Sequence, residues 1–516
     1  MIMKKILGIE FGSTRIKSVL IDENAKVLAQ GNHEWENQLV DGLWSYSLDA
    51  VFSGLQQSFA SLSQAYSARF GEKLTTVDAI GVSAMMHGYL AFDNDGNLLA
   101  PFRTWRNTNT AVAAKELSNL FQFNIPMRWS VSQYYQCVID GLPHVNDVAH
   151  LYTLSAYVHY KLSGRRVIGI GDASGMFPCD NRGYDVNKLS LFNTLLRSRG
   201  LEVNFETLLP QVLLAGQNAG QLTEEGAKLL DPTGVLQSGA TMCPPEGDMG
   251  TGMVATNSIL PRTANVSSGT SANMVVVLEK PLGNFYSEID IVATPDGYPA
   301  ALIHTNNCTN EINEWVALFD EVLTLVGVNM PKEELFNKLF ATSLHSDSDV
   351  GNLVGYNFLA GEPLGKTQKG FPLVARTRDG KLNLSNFMQM QIYSAIATLA
   401  LGTDILKQEQ VVIDSVMAHG GFYKTDFVGQ NATSAVLQAP VTVMQNAGEG
   451  GAWGMAILAL RTLLASGSLA QLLERIFNDT TKTTVLASKE EMNKCQRFLK
   501  RYKQYLALEK IATEKC

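Results

Sequence analysis

No apolar run in this chain approaches the roughly 20 residues a membrane helix needs; the longest, residues 395–402 and 454–460, are far shorter. A cysteine framework is missing as well. The six cysteines (Cys137, Cys179, Cys243, Cys308, Cys495, Cys516) lie far apart, with no C-x-x-C and no histidine at ligand spacing. That excludes a disulfide scaffold and a zinc site of ordinary spacing, and a reducing, cytoplasmic setting is expected. There is no basic excess: 41 Lys and Arg stand against 49 Asp and Glu, a formal net charge of −8, without long single-sign blocks. Non-specific nucleic-acid binding needs a concentrated basic face, so neither nucleic acid nor membrane is an expected partner. The opening "MIMKKILGIEFG" has two lysines, but Glu10 interrupts its apolar run, so it lacks the h-region of a secretion signal.

What is present is an ordinary globular composition, 46% hydrophobic and 17% charged, in 516 residues. That length exceeds one core and implies two or three domains. Strand-like runs at 6–9, 16–21, 77–82 and 89–92 alternate with a helix-like run at 48–70, an α/β pattern. Two apolar runs flank Gly12-Ser13-Thr14 in "LGIEFGSTRIKSVLID", and the cations Arg15 and Lys17 stand close by. The turn reads either as an edge hairpin or as a phosphate cradle. About half a chain later "ANVSSGTSANMVVVL" repeats the device around Ser268, Gly269 and Thr270. The stretch between, up to "PPEGDMGTG", reads as loop-rich. In the second half, "SNFMQMQIYSAIATLALGTDILKQ" reads as a helix capped by Ser385, and "SVMAHGGF" as a strand ending at Gly420 and Gly421. "PVTVMQNAGEGGAWGMAILAL" reads as strand, glycine-rich turn and helix, with Gly450 and Gly451 at the turn. Such glycines serve either tight packing or close approach to a nucleotide. The tail from Lys489 reads as a charged, solvated helix.

Asp248, a carboxylate between glycines after a proline pair, reads as an Asx-turn residue or as a base for a hydroxyl proton. "SAMMHG" and "APFRTWRNTN" bring Met86, His87, Trp105, Asn107 and Asn109 into a region suited to a polyhydroxylated ligand. A lone histidine there is more often a structural residue. "AGEPLGKT", residues 360–367, nearly meets the P-loop spacing, but Gly370 and Pro372 forbid the helix that motif requires.

Taken in order, these segments resemble the FGGY carbohydrate kinases, a branch of the actin-like ATPase superfamily. The xylulokinase-like members look most similar, through "SAMMHG" and "GDASG". The resemblance implies an α/β fold of two actin-like (ribonuclease H-like) domains, residues 1–258 and 259–516, with a cleft between them. The first would bind sugar and carry the first phosphate hairpin. The second would carry the other hairpin and the adenosine site. It implies ATP and Mg²⁺ as cofactors, and Asp248 as the catalytic base that also touches the sugar. Gly12, Ser13, Thr14 and Lys17, with Ser268, Gly269 and Thr270, would hold the phosphates. Gly420, Gly421, Gly450 and Gly451 would line the nucleotide. Met86, His87, Trp105 and Asn107 would bind the sugar, and a homodimer would be in keeping with the family.

The sequence departs from the family pattern twice. Glu10 stands where an Asp organises the metal, so Glu10 is expected to act through water. Asn107 and Asn109 replace an Asp and an Arg of the sugar loop. The expected activity is ATP-dependent phosphorylation of the terminal hydroxyl of a small sugar, a ketopentose such as xylulose or ribulose. The alternatives are a kinase of another ketose or a polyol, an actin-like ATPase driving a protein partner, and, last, a sugar-sensing regulator.

Overall fold

The computed structural model describes residues 3–444, 450–478 and 480–515. It divides into two compact units, the first comprising Met1–Leu260, Asp290–Ala300 and Gly448–Asp479, the second Pro261–Ile289, Ala301–Ala447 and Thr480–Cys516. The units are therefore not two consecutive halves. Residues 290–300 and 450–478, expected in the second domain, group with the first.

In the first unit, Ile6–Phe11 and Arg15–Ile21 form an antiparallel hairpin that Val27–Glu34 extends. On its other side Ile6–Phe11 runs parallel to Ala79–Ala84, which in turn pairs in parallel with Thr241–Met242 and Glu246–Gly247. Strands covered on both faces need continuous apolar runs, and Ala79–Ala84 is buried at every position. The helix Leu48–Phe70 has the expected bounds for local reasons. Ser47 caps its start, Gly71 in the left-handed region ends it, and Val51, Leu55, Phe59, Leu62 and Tyr66 make one buried stripe.

The helix Gly450–Leu463 explains why a late segment joins the first unit. It lies so close to Ile6–Phe11 that a Cβ on Gly8 would stand 2.0 Å from the Ala452 carbonyl oxygen. Only a glycine permits that approach. Gly8→Val is expected to destabilise the protein by about 3 kcal/mol, read as a lower urea midpoint; an unchanged midpoint would contradict this packing.

The second unit repeats the topology. Thr263–Ser268 is antiparallel to Ala272–Val277 and parallel to Ser415–His419, and its sheet continues through Val441–Met444 to Lys482–Val485. Its longest core helix, Leu384–Gln408, is capped by Asn383 and not by Ser385: the Asn383 side chain accepts from the Asn386 amide. An Asn caps as well as a Ser, and here its extended backbone supplies the entry geometry. The expected solvated tail is also corrected. Lys489–Lys515 is a helix with one buried face, Cys495, Phe498, Leu499 and Tyr502, at helical spacing. Among the described residues no helix is long and apolar enough to cross a membrane, and Cys137, Cys179, Cys243, Cys308 and Cys495 are all free.

Candidate active site

The first hairpin is built with its carbonyls pulled back. The Trp35 indole N–H donates to the Gly12 carbonyl at 2.7 Å, the Tyr46 hydroxyl to that of Ser13 at 2.6 Å, and the Trp35 amide to that of Thr14 at 3.2 Å. Trp35 and Tyr46 stack at 4.0 Å and make the support rigid. A turn whose three acceptors are engaged from behind suits an anion, which needs donors and not carbonyls. Lys17 adds a cation and stands opposite Glu10 in the hairpin register.

Glu10 and the late helix meet here. A Cβ on Gly451 would lie 2.3 Å from a Glu10 carboxylate oxygen and 2.9 Å from the Thr251 hydroxyl. Gly450, at φ +69°, has Lys17 Nζ and Glu10 as its nearest neighbours. Burial pushes the Glu10 carboxyl up, while Lys17 and the Ala452 amide hold it down. The carboxylate thus sits at a helix N-terminus, where its charge is favoured. The rest of the expected glycine-rich turn, residues 445–449, lies outside the described residues.

Asp248 was expected in a loop; it is the first residue of the helix Asp248–Ala255, directly after the strand Glu246–Gly247. That strand runs parallel to Ala79–Ala84, so Asp248 emerges at the carboxyl ends of parallel strands, the usual ligand edge of such sheets. The amides of Met86 and Met249 donate to its Oδ1 at 3.3 and 2.9 Å. Asp248 is exposed. Crowding by protein, then the charge of Glu10, push its carboxyl up to about 7, against those two amides. Solvent on the open side limits the desolvation.

Behind Asp248 lies a buried acid pair that sequence reasoning missed. Glu246 accepts from the amides of Gly171, Asp172 and Gly247, and Asp172 accepts from the hydroxyls of Thr153 and Ser155. Burial raises both carboxyls, and the charge of Asp172 adds to the shift of Glu246. Burial together with a neighbouring like charge favours the neutral form of a carboxyl. Their amide bonds tie the strand carrying Asp248 to the turn after Val167–Gly169. The signal was present in "PPEGD" and "GDASG", but nothing local joins segments so far apart.

His87 is buried in the left-handed region, φ +70°. Its Nδ1 faces the Gly175 carbonyl at 3.2 Å, which assigns the proton to Nδ1 and leaves Nε2 as an acceptor. Burial, with the Arg128 cation second, pushes the imidazole down to about 3, so His87 is neutral. Met86, beside it, packs under Gly247. Trp129 lies parallel to the His87 ring at 6.3 Å. Close by, Asp290 accepts from Arg128 and, at 2.7 Å, from Asn124.

The sugar loop is more structural than expected. Asn107 is buried, and its side chain is bonded to backbone: it accepts from the Trp44 amide and donates to the carbonyls of Trp44 and Thr104. It clamps the loop and presents no amide to a ligand. Asn109 is exposed. Trp105 is 40% exposed, and its indole N–H reaches the Ser13 hydroxyl at 3.2 Å, so the loop touches the phosphate hairpin itself.

The second hairpin, in the second unit, is pinned in the same manner. Thr309 donates twice to the Gly269 carbonyl and the Cys308 amide to that of Thr270. Ser268 departs from expectation: it is fully buried, with its hydroxyl on Tyr423 and its backbone in the strand. A Cβ on Gly420, φ +107°, would meet the Ser268 carbonyl at 2.2 Å, and Gly421 borders open space. The four glycines expected along the nucleotide thus divide between the units, Gly420 and Gly421 beside Ser268, Gly450 and Gly451 beside Glu10. The near-P-loop has no helix after it: residues 368–372 lead into the strand Leu373–Arg376, and Lys366 pairs with Glu288 at 3.0 Å. Lys366→Ala is expected to leave turnover within about twofold, since an exposed pair contributes little; a large loss in a steady-state assay would revive the motif.

Two family models cover most of the chain: the FGGY family of carbohydrate kinases, N-terminal domain, over residues 5–240, and its C-terminal domain over residues 264–463. A xylulose kinase of Haemophilus influenzae is 24% identical over 476 residues, 88% of this chain and 90% of that protein. Among solved structures, a gluconate kinase from Lactobacillus acidophilus superposes with a TM-score of 0.81 at 17% identity, covering 99% of both chains. A ligand-bound xylulose kinase from the same organism gives 0.79 at 16%, covering 98% of both. The likeness identifies the two units as actin-like, ribonuclease H-like folds.

Proposed function

The chain belongs to the FGGY family of carbohydrate kinases, ATP-dependent sugar phosphotransferases, and we propose that its acceptor is the terminal hydroxyl of a ketopentose, xylulose or ribulose. The observation that carries the reading is the setting of Asp248, held through one carboxylate oxygen at the carboxyl edge of the parallel strands, beside Met86, His87 and Glu10. Its other oxygen takes the hydroxyl proton as the sugar oxygen bonds to the γ-phosphorus. The bond from that phosphorus to the bridging oxygen breaks, and ADP and the sugar phosphate result. Such transfer asks for positioning and charge neutralisation more than for a strong base.

Neutral His87 offers Nε2 to a sugar hydroxyl, and the exposed face of Trp105 offers an apolar surface to C–H groups. Lys17 and the amides of Ser13 and Thr14 receive phosphate, with Thr270 acting likewise from the second hairpin; the Gly12 and Gly269 amides instead close their turns on the Arg15 and Ser271 carbonyls. Among the described residues no three His, Cys, Asp or Glu side chains are grouped to hold a metal by themselves. Glu10 nonetheless fits Mg²⁺, which is usually held by one or two carboxylates together with substrate phosphates and water. Bound there, it would neutralise phosphate charge.

The xylulose-named relatives support a ketopentose; the gluconate-named neighbour keeps a sugar acid as the second reading. Mass and ³¹P spectra of the product formed from ATP and each ketopentose test this. A monophosphate ester at the terminal carbon is expected. Free phosphate with unmodified sugar would contradict it.

A further inference from the structure

We infer that Arg128 and Asp290 together read the substrate and restrict this site to uncharged sugars. The inference rests on the reading of the Asp248 edge as the acceptor site. Asp290 opens the strand Asp290–Ala293, the edge strand of the sheet that carries the second hairpin, although its segment 290–300 groups with the first unit. The strand is pinned there by its Ala293 amide, which donates to the Ser174 hydroxyl at 2.9 Å; that hydroxyl reaches the Gly171 carbonyl at 2.6 Å. Arg128 is fixed from the other side. Its carbonyl receives the Gly88 amide, and the Ser130 hydroxyl reaches the Gly88 carbonyl at 2.6 Å. The segments carrying Arg128 and Asp290 therefore converge on the turn that presents Met86 to Asp248 and His87 to the ligand.

The pair is neither a surface bridge nor sealed in the core. The Arg128 side chain is 27% exposed and that of Asp290 13%. Asn124 donates to the second oxygen of Asp290 and fixes its plane. A guanidinium carries five N–H groups, so pairing with one carboxylate leaves donors over, and the carboxylate keeps lone pairs. A sugar hydroxyl both donates and accepts, and such a wall satisfies both functions. A substrate carboxylate can only accept, and reaching Arg128 would bring it against Asp290. His87, being neutral, offers no compensating charge. Discrimination then comes from a repulsive element as much as from a fitted one.

The experiment compares equilibrium binding, by calorimetry, and ADP release for matched pairs: xylulose with xylonate, and ribulose with ribonate. Wild type is expected to bind and turn over the neutral member of a pair. Asp290→Asn removes the repulsive charge and leaves Arg128 cationic. The aldonate-to-ketose ratio of binding constants is expected to rise at least about tenfold, expressed in KM with kcat nearly constant. Asp290→Glu is expected to keep the preference for neutral sugar. Where Asp290→Asn lowers the thermal midpoint too far to be assayed, Arg128→Lys carries the test, with a raised ketose KM and kcat within about twofold. An unshifted ratio in a folded Asp290→Asn, a wild type that prefers the aldonate, or binding of neither class overturns the inference. Binding that follows the expected pattern without ADP release contradicts the acceptor reading alone and upholds the pair as the reader.

Discussion

Asp248→Asn is expected to lower kcat about a thousandfold, the middle of the range a positioned general base contributes, with ATP affinity unchanged within about threefold. The amide keeps the shape of the carboxylate and an acceptor for the Met86 and Met249 amides, so the helix start at Asp248 survives. What it cannot do is take the hydroxyl proton. A loss in kcat without a loss of nucleotide binding separates a base from a residue that merely supports the fold. Measured by single-turnover kinetics together with nucleotide titration, retained turnover would remove Asp248 from the chemistry.

Glu10→Ala is expected to reduce turnover by about a hundredfold at limiting Mg²⁺ and to raise the Mg²⁺ concentration needed for half-maximal rate. Two effects act together. A carboxylate that faces Lys17 and the Ala452 amide disappears, and with it the negative charge at the start of Gly450–Leu463. Glu10→Asp is expected to fall between, since it keeps the charge but withdraws it by one methylene from Gly451. An unchanged Mg²⁺ dependence in Glu10→Ala would confine the residue to supporting the helix.

Local features were legible in the sequence. The hairpins around Gly12–Thr14 and Ser268–Thr270, the helix Leu48–Phe70, and the failure of the near-P-loop all follow from neighbours a few residues apart. Long-range returns were not. Nothing in the periodicity of Gly450–Leu463 says which sheet it will meet, because an apolar face fits either core. Glu246 and Asp172 make the same point, since a buried acid pair is a property of two segments and not of either one. Asn107 misled for another reason: an amide in a polar loop satisfies backbone as readily as ligand, and only the position of Trp44 decides between them. In Lys489–Lys515 the charged residues of the outer face hid the stripe from Cys495 to Tyr502.

The most direct measurement is ADP release from Mg-ATP by the purified protein, with D- and L-xylulose, D- and L-ribulose, fuculose, rhamnulose, glycerol, gluconate or no acceptor. Strong stimulation by one ketopentose is predicted, with little release in its absence. Release that no acceptor in the panel stimulates would contradict the assignment of Asp248 and its neighbours as a sugar-phosphorylating site.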